Sequence, residues 1–489
     1  MMYEALLPYA LLSLSLIASR QAPSGTPLHI RLTTPVGTYS SKAGSPVSAV
    51  LIAPVTSSSG EVILPVGSIL SGTVRRALRV GFGLVHETAT LDLDFREIAL
   101  PDGEDFPIET RVSEVDNGRE RVTEDGSIRG VRTTASISYR ASGYIRTALC
   151  WEVHARLALW AVKMLVLQVP EPEIYYPVGA ELTLWLTQPL NSGITGQPET
   201  RLNEEERAEL ESELSGMPYR AYTPANRPSD LLNLVLIGSR EQIAAAFTAA
   251  GWTQAKPPSW RSRLTGVRAV IQDQGFRAAP MSRLLVNDAA PEMSWQKGLN
   301  DFAKRHHVRL WKQSATWEGQ EIWMAAATRD IDFAFLRPGQ AVTHKIQQDI
   351  DLERDKIARD LQFTNCTSTT DWWERPGAPL SARNSTGDPM TTDGRLAIVR
   401  MADCDAPRTL ASVEPLRVHG NYFQRLARRQ ILSIRSDFYR TNMYWRTYEG
   451  TRWLVLAVRH RHSQASEFHP SDEIADSLLT RAKNSSWLR

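Results

Sequence analysis

The chain has 489 residues, of which 42% are hydrophobic and 22% are charged. This balance is typical of a folded globular protein and excludes a largely disordered one, and the length predicts two or three domains. The net charge is only +2, with 56 lysines and arginines against 54 acidic residues. Such a balance does not favour nucleic acid as a partner, and none is expected.

Residues 1–22 have the pattern of a targeting segment. Positions 6–18 are almost entirely apolar, and small residues follow at Ala18, Ser19 and Ala22, as in a secretory signal and its cleavage region. No lysine or arginine precedes the apolar run. A retained N-terminal anchor therefore stays open, and so does a cytosolic chain with a buried first strand. Export predicts a location in the periplasm or cell envelope, with membrane association through this segment if it is kept.

Residues 26–188 are predicted to form a β-barrel or β-sandwich. Short segments alternate apolar and polar side chains, as in His29–Thr33 and Thr88–Phe95. A Pro-Val-Gly turn at residues 65–67 leads into a strand. The same turn recurs at residues 177–179, and we predict that the segment after it supplies the last strand of the same sheet.

This arrangement of turn and strand, seen in the Leu-Pro-Val-Gly-Ser sequence at residues 64–68, resembles the β-barrel domain of conjugative-transfer and type IV secretion envelope proteins. An apolar stretch at residues 145–168 lies within the same region and is interrupted by Glu152, Arg156 and Lys163. These charges argue against a membrane span. They predict an inserted helix that packs on the barrel or lies along a membrane surface.

Residues 189–227 are predicted to be a linker that contains one short helix. Asn203 is placed to cap a glutamate-rich helix from Glu204 to Leu214. The next domain then opens with a buried strand at Asn233–Gly238. Ser239 follows, and it is placed to cap a second helix.

The second domain contains a predicted strand that is rich in basic and aromatic residues. Residues 305–311 have the sequence Arg-His-His-Val-Arg-Leu-Trp. Alternation along a strand places His307, Arg309 and Trp311 on one face and His306 on the other. An arginine on the same face as a tryptophan favours a polar face, so His307, Arg309 and Trp311 are candidate binding residues. A tryptophan at strand spacing is more often a core residue, and that alternative stays open for Trp311.

An amphipathic helix is predicted over residues 346–361, because its isoleucine and leucine side chains recur at helical spacing. His344 lies immediately before it. Glu353 and Arg354 flank the apolar stripe on opposite sides, whereas Asp351 points away from it. All four side chains are candidate site residues. In the alternative, Glu353 and Arg354 hold the helix in place through ion pairs and the histidines satisfy buried backbone groups.

Together these segments resemble the LssY C-terminal domain, which is found in bacterial envelope-associated proteins. The matching segments are Asn233–Gly238, Ala249–Trp252, Pro280–Ser282, Arg305–Trp311 and Thr343–Asp355. The resemblance covers about residues 228–400, which it predicts to be an α/β domain, with residues 401–489 as a C-terminal extension. It implies an envelope setting linked by name to type I secretion, and it implies no established catalytic residue.

The predicted fold class is therefore α+β and multidomain, with an N-terminal β-barrel or sandwich followed by an α/β LssY-like domain. Among the three cysteines, Cys366 and Cys404 lie in adjoining segments and are expected to pair if the protein is exported. Cys150 lies in an apolar run and is predicted to be a buried thiol.

Two functions remain open from the sequence, and whether the protein is an enzyme is not decided by it. The first is a binding or structural module of the envelope, whose partner is a protein, a glycan or a lipid. The second is a metal-assisted hydrolase in which His307, His344 and Glu353 hold a divalent ion such as zinc or manganese. Arg309 and Arg354 are predicted to hold an anion. No H-E-x-x-H, G-x-S-x-G or P-loop motif appears in the sequence, so we favour the first.

Overall fold

The computed structural model describes residues 21–57, 61–82, 87–132, 171–191, 201–256, 279–335, 342–405 and 421–441, together with isolated positions in 154–158, 259–276, 407–408 and 444–455. Nearly all of the predicted targeting segment and of the predicted inserted helix, including Cys150, lies outside these residues. Across the described part of the chain, no helix combines the length and apolar character needed to cross a membrane. The chain divides into two compact units, Met1–Arg429 and Gln430–Arg489. Both domains described below lie within the first unit.

The first half of the described chain is built from short strands. They are β1 (Gln21–Ala22), β2 (Pro27–Leu32), β3 (Val36–Gly37), β4 (Pro46–Leu51), β5 (Val55–Thr56), β6 (Val62–Leu64), β7 (Ile69–Leu78), β8 (Thr90–Ala99), β9 (Asp105–Pro107), β10 (Thr110–Val115), β11 (Arg121–Val122), β12 (Ile128–Arg129), β13 (Tyr175–Tyr176), β14 (Glu181–Leu186) and β15 (Leu190–Asn191).

The main sheet of this half is antiparallel and nearly closes into a barrel. Its strand order is β10-β14-β2-β4-β7-β8-β12-β11, and β9 pairs with β8. The chain at the start of β10 reaches back to β8, because the Ile108 N–H donates to the Arg96 carbonyl at 2.9 Å and the Thr110 hydroxyl donates to the Phe95 carbonyl at 3.1 Å. The predicted β-barrel or sandwich is therefore confirmed, and we call residues 21–191 the β domain.

Both Pro-Val-Gly turns take the conformation that their glycines permit. The φ angle is 93° at Gly67 and 90° at Gly179, a region that other L-residues rarely adopt. Strand β14 follows the second turn and pairs with β2 in the register Leu182 to Ile30, and both side chains are buried. The segment after residues 177–179 thus belongs to the main sheet, as predicted.

The second half contains longer strands and the helices of the described chain. These elements are β16 (Arg220–Tyr222), β17 (Pro228–Leu231), β18 (Leu234–Ile237), β19 (Thr253–Gln254), β20 (Met293–Lys297), β21 (Arg305–Trp317), β22 (Gln320–Phe335), β23 (Val342–Ile346), β24 (Thr367–Glu374), β25 (Ser381–Arg383), β26 (Pro389–Thr391) and β27 (Arg395–Met401), with α1 (Glu204–Ser215), α2 (Arg240–Ala249), α3 (Asp351–Phe363) and α4 (Tyr422–Thr441).

A mixed eight-stranded sheet organises this half, which we call the mixed-sheet domain (residues 201–405). Its order is β19-β20-β21-β22-β18-β27-β24, and β23 pairs with β22. The β18–β27 pair is parallel. One face packs against α2 and α3, which bury Phe247 and Ile357 against Val308. The other face packs against α1, where Leu214 and Trp311 share a second core.

The two helix starts predicted from local sequence are confirmed. The Asn203 side chain accepts a hydrogen bond from the Glu206 N–H at 2.9 Å at the start of α1. The Ser239 hydroxyl accepts one from the Gln242 N–H at 3.1 Å at the start of α2. Each cap satisfies a backbone donor that the helix itself leaves free.

The helix predicted over residues 346–361 begins later than expected. Ile346 is the last residue of β23, and His344 lies within that strand rather than in a loop before the helix. Helix α3 starts at Asp351, whose N–H donates to the Asp349 side chain at 3.1 Å. Pairing with the long strand β22 supplies backbone hydrogen bonds that override the helical spacing of the side chains.

Cys366 and Cys404 form a disulfide, with their Cα atoms 4.8 Å apart. The bond joins the segment after α3 to the segment after β27. Cys366 is buried in the core beneath α2 and α3, and Cys404 packs against it. The pairing that the sequence made conditional on export is thus present.

Candidate functional site

A cavity of about 280 Å³ lies between the β domain and the mixed-sheet domain. We call it the interdomain cavity. Polar and charged side chains from both domains line most of its wall. The β domain contributes His29, Ile52, Glu114, Asp116, Glu181, Leu182 and Thr183, and the mixed-sheet domain contributes His306, Arg329, Gln347, Leu352, Glu353, Lys356, Arg359 and Asp360.

Helix α3 supplies much of this wall. Glu353, Lys356 and Asp360 follow one another at intervals of three and four residues, which places them on one side of a helix. Leu352 and Arg359 flank the same side. The helix is held in this orientation by the neighbouring apolar stripe, where Ile357 is fully buried against the mixed sheet.

His306 stands between two carboxylates at one end of the cavity. Its Nδ1 lies 2.6 Å from Glu353 Oε2, and its Nε2 lies 2.8 Å from Asp116 Oδ2. Burial by itself lowers the pKa of His306, but the two carboxylates outweigh burial and raise this pKa to about 9. His306 is therefore an imidazolium at neutral pH, with both ring nitrogens engaged as donors.

Asp116 also accepts a hydrogen bond from Arg329, at 2.9 Å, and Arg329 reaches Glu114 at 3.1 Å. Burial raises the pKa of Asp116, but His306 and Arg329 outweigh it and hold the pKa well below its usual range. This end of the cavity is thus a chain of alternating charges that crosses from one domain to the other.

A second charged cluster lies at the other end of the cavity, around two buried carboxylates. Glu181 accepts from Arg31 at 2.7 Å, from Lys297 at 2.5 Å and from Lys356 at 2.5 Å. Asp360 accepts from Lys297 at 2.9 Å, from Lys356 at 3.0 Å and from Arg31 at 3.3 Å. Three cations therefore share two carboxylates, and the cluster joins the β domain to the mixed-sheet domain.

The pKa shifts follow from this arrangement. Burial raises the pKa of Glu181, yet Lys297, Lys356 and Arg31 together depress it well below its usual range. Burial lowers the pKa of Lys297, and the nearby guanidinium of Arg31 adds to this effect. The carboxylates are thus held ionised. The excess of positive charge in the cluster favours the neutral form of Lys297.

Two further basic side chains line the cavity near this cluster. His29 lies 3.2 Å from the Thr183 hydroxyl through Nδ1. Burial, reinforced by the charges of Arg359 and Lys356, lowers the pKa of His29 to about 4, so its ring is neutral at pH 7. Arg359 makes no hydrogen bond or ion pair with any side chain or backbone group in the described residues.

The histidines proposed as metal ligands lie elsewhere. His307 Nε2 is 2.9 Å from Asp330 Oδ1, and His344 Nδ1 is 3.5 Å from Asp330 Oδ2. Glu353 is on the opposite face of the sheet with His306, so the structure does not bring the three predicted ligands together. The Arg305 guanidinium donates to Asp330 Oδ2 at 2.8 Å and would oppose a metal dication there. Within the described ranges, no group of three or more histidine, cysteine or acidic side chains is arranged to hold a metal ion.

The remaining predicted residues have partners inside the protein. Arg309 is buried and donates to Asp230 at 3.1 Å and to the Ser282 hydroxyl at 2.9 Å. Trp311 is 1% exposed, and its indole N–H donates to the Ala289 carbonyl at 3.1 Å. Arg309 and Trp311 are therefore core residues and not a recognition surface. The prediction failed because a polar residue on a strand face can also pair with buried polar groups of the protein itself.

Arg354 is likewise saturated by the protein. It is 1% exposed and donates to Asp351 at 3.0 Å, to Asp355 at 2.8 Å and to Asp393 at 2.6 Å. These carboxylates occupy the positions that an external anion would take. Asp351 in turn accepts from the Thr392 hydroxyl at 2.7 Å, so this group ties α3 to the turn before β27. Of the predicted site residues, only Glu353 lines the interdomain cavity.

The site residues that sequence reasoning missed are Asp116, Glu181, His306, Lys356 and Asp360. One signal for them was present. His306 shares its strand face with Val308 and Leu310, which pack against helices, so a polar side chain at that position needs a buried partner. The acidic partner from the β domain has no signal of its own in the sequence.

These features define a two-domain, β-rich protein with a charged cavity at the domain junction. Residues 214–396 match the family model described as the LssY C-terminus, so the resemblance predicted for about residues 228–400 is confirmed. The chain is also similar to the structure of ComB10 of the Com type IV secretion system of Helicobacter pylori, with 10% identity and a TM-score of 0.21 over 35% of this chain and 90% of that chain. A comparison with curated proteins gives no match.

Proposed function

We propose that the protein is an exported binding module of the bacterial cell envelope, with its ligand site in the interdomain cavity. The observation that supports this most directly is the composition of the cavity wall, in which charged side chains from both domains face one partly open space of about 280 Å³. Concave sites with a few convergent polar groups at domain junctions are where small ligands usually bind in proteins.

The state of the charged groups favours binding over catalysis. Both ring nitrogens of His306 are engaged by carboxylates, so this imidazole is a fixed charge and has no free nitrogen to accept a substrate proton. Glu181 and Asp360 are likewise held by several cations. The hydrolase alternative required His307, His344 and Glu353 in one site, and these side chains lie on two faces of the sheet.

Two features support the envelope setting. The Cys366–Cys404 disulfide is of a kind that persists in oxidising compartments such as the periplasm. The apolar run at residues 6–18 has the length of the apolar part of an export signal, and the small residues at Ala18, Ser19 and Ala22 fit a cleavage region. The partner is then a component of the envelope, such as a cell-wall peptide, a glycan or a lipid headgroup.

A blocked cavity tests the proposal. Leu352 lines the cavity and is 51% exposed, so Leu352→Trp fills the space without disturbing the core. Leu380→Trp is the matched control, because Leu380 is also exposed and does not line the cavity. The thermal stability of each protein is measured with soluble cell-wall peptides, glycan fragments and glycerophosphate headgroups.

We expect one of these classes to raise the melting temperature of the wild type and of Leu380→Trp, because a ligand that binds only the folded state stabilises it. The same class leaves Leu352→Trp unchanged. An equal response of Leu352→Trp, or no response of the wild type to any class, would contradict a ligand site in the cavity.

A further inference from the structure

The two ends of the interdomain cavity carry opposite charge. At the His306 end, the carboxylates of Glu114, Asp116 and Glu353 face two cations, His306 and Arg329. This end therefore has an excess of negative charge. It is the end at which a cationic group of a ligand is favoured.

A specific acceptor is available there. Glu353 is 2% exposed and lines the cavity. One of its oxygens, Oε2, contacts His306, whereas Oε1 is buried and accepts no hydrogen bond from any group in the described part of the chain. A carboxylate oxygen left without a donor in a buried position is costly, and a small rotation of the Glu353 side chain would present this oxygen to an ammonium group in the cavity.

The opposite end has an excess of positive charge. There Glu181 and Asp360 are already shared by Lys297, Lys356 and Arg31. Arg359 adds a further cation to the same side of the wall. Within the described residues its guanidinium meets no acceptor, and a guanidinium is well shaped to bind a carboxylate through two parallel hydrogen bonds.

Helix α3 sets the distance between the two ends. Glu353 and Arg359 are six residues apart, which corresponds to roughly 9 Å along the axis of an α-helix. Opposite charges on a single carbon do not span this distance. An extended dipeptide measures about 7 Å, and the reach of the two side chains covers the remainder. A volume of about 280 Å³ is below the usual range for drug-sized ligands, which also favours a small molecule.

We propose that the interdomain cavity binds a zwitterion of about the size of a dipeptide, with its ammonium group at Glu353 and its carboxylate at Arg359. This inference rests on the proposed function, because it names the chemical class of ligand for the same cavity. Two charge contacts do not by themselves distinguish the enantiomers, so both the L,L and the D,D forms are used as probes.

The test is a set of matched titrations of the full chain by calorimetry. The probes are alanyl-alanine, N-acetyl-alanyl-alanine, which lacks the ammonium group, and alanyl-alanine amide, which lacks the carboxylate. Inorganic phosphate serves as a simple anion. We expect each blocked peptide to bind at least tenfold more weakly than alanyl-alanine, because each loses one of the two charge contacts.

Two variants assign the ends. Arg359→Gln is expected to weaken alanyl-alanine at least tenfold and to leave the amide unchanged, since the amide has no carboxylate to lose. Glu353→Gln is expected to weaken alanyl-alanine and to leave the N-acetyl form unchanged. Arg96→Gln, at an exposed arginine of the β domain, is the control and is expected to bind like the wild type. If Glu353→Gln fails to fold, the blocked peptides and Arg359→Gln decide the question.

Equal binding of the N-acetyl peptide or tight binding of phosphate would overturn the zwitterion in favour of an anion site. Equal binding of the amide, or no binding of alanyl-alanine, would overturn it as well. If the blocked-cavity experiment still finds a ligand class that Leu352→Trp abolishes, the proposed function stands and only its ligand class is wrong. If no class responds, both fail.

Discussion

Asp116 of the β domain and His306 of the mixed-sheet domain form an ion pair across the domain junction, with 2.8 Å between Oδ2 and Nε2. The same imidazole contacts Glu353 at 2.6 Å, so it links an acidic side chain of each domain. His306 and Glu353 are both 2% exposed in their side chains. Asp116 is 19% exposed, so the ion pair across the junction is largely shielded from water on its His306 side.

Replacing His306 by glutamine should destabilise the protein strongly. The variant leaves Asp116 and Glu353 close together without the cation between them, and breaking a buried ion pair on one side typically costs about 3 kcal/mol or more. Chemical unfolding of the two proteins measures the difference in the free energy of unfolding. Arg96→Gln, which removes an exposed pair with Asp94, should leave this free energy unchanged. A His306→Gln protein as stable as the wild type would show that the pair does not hold the domains.

Stability should also pass through a maximum near pH 6.5. The folded pKa of His306 is raised to about 9, so between the ordinary histidine value and pH 9 the folded state holds a proton that the unfolded state has released. Stability is then full below about pH 6.5 and is lost as the pH rises through 9.

Below the maximum, stability falls as the pH falls, because the histidines responsible have lowered pKa values in the folded state. The folded pKa values of His29 and His344 are lowered to about 4, mainly by burial. The unfolded chain binds these protons first, so stability is present above about pH 6.5 and is lost as the pH falls through 4. Unfolding at a series of pH values measures both limbs. In His306→Gln the alkaline limb should be absent, and its persistence would assign that limb to another group.

Local features of the fold were predictable from the sequence because their causes are local. The caps at Asn203 and Ser239 each need one side chain and a backbone N–H three residues away. The two faces of β21 follow from alternation, which correctly separates His306 from His307. The predicted start of α3 was wrong. Ile346 lies in a strand because it pairs with a distant strand, and this pairing outweighs the helical spacing of the apolar residues.

The cavity was not predictable in the same way. Asp116 and His306 are 190 positions apart, and Arg31 and Asp360 are 329 positions apart. Periodicity specifies which side of a strand or helix is polar, but it does not specify which distant segment docks there. The same limit applies to Arg309, where a polar residue on a strand face suggested a binding surface but Asp230 is its buried partner.

The buried cluster around Asp360 should be sensitive to its charge balance. Asp360→Asn leaves three cations with Glu181 as their only carboxylate in the cluster, which should cost about 4 kcal/mol in the free energy of unfolding. Lys297→Met in the same protein removes one cation and should restore part of that loss, because interacting residues are not additive. Chemical unfolding of the wild type, both single variants and the double variant measures the coupling. Additive effects would show that Lys297 and Asp360 do not stabilise each other.

Trp311 should behave as a core residue. It is 1% exposed, so Trp311→Ala should lower the free energy of unfolding by about 4 kcal/mol through lost burial and a residual cavity. Trp185 is the comparison, since it is 40% exposed and contacts Arg111 through its ring. Trp185→Ala should cost about 1 kcal/mol or less. Similar effects at the two positions would contradict the assignment of Trp311 to the core.

The disulfide should stabilise the mixed-sheet domain. Cys366 and Cys404 are 38 positions apart, and closing a loop of that length restricts the unfolded chain by about 3 to 4 kcal/mol. Measurements in a Cys150→Ser background leave only these two thiols, because the chain has three cysteines. In that background a reductant should lower the unfolding midpoint, and Cys404→Ser should show the lower midpoint with or without reductant. If the unfolding midpoint of the Cys150→Ser protein does not respond to reductant, the bond adds no stability. Free thiols at Cys366 and Cys404 in protein taken directly from cells would argue against export to an oxidising compartment.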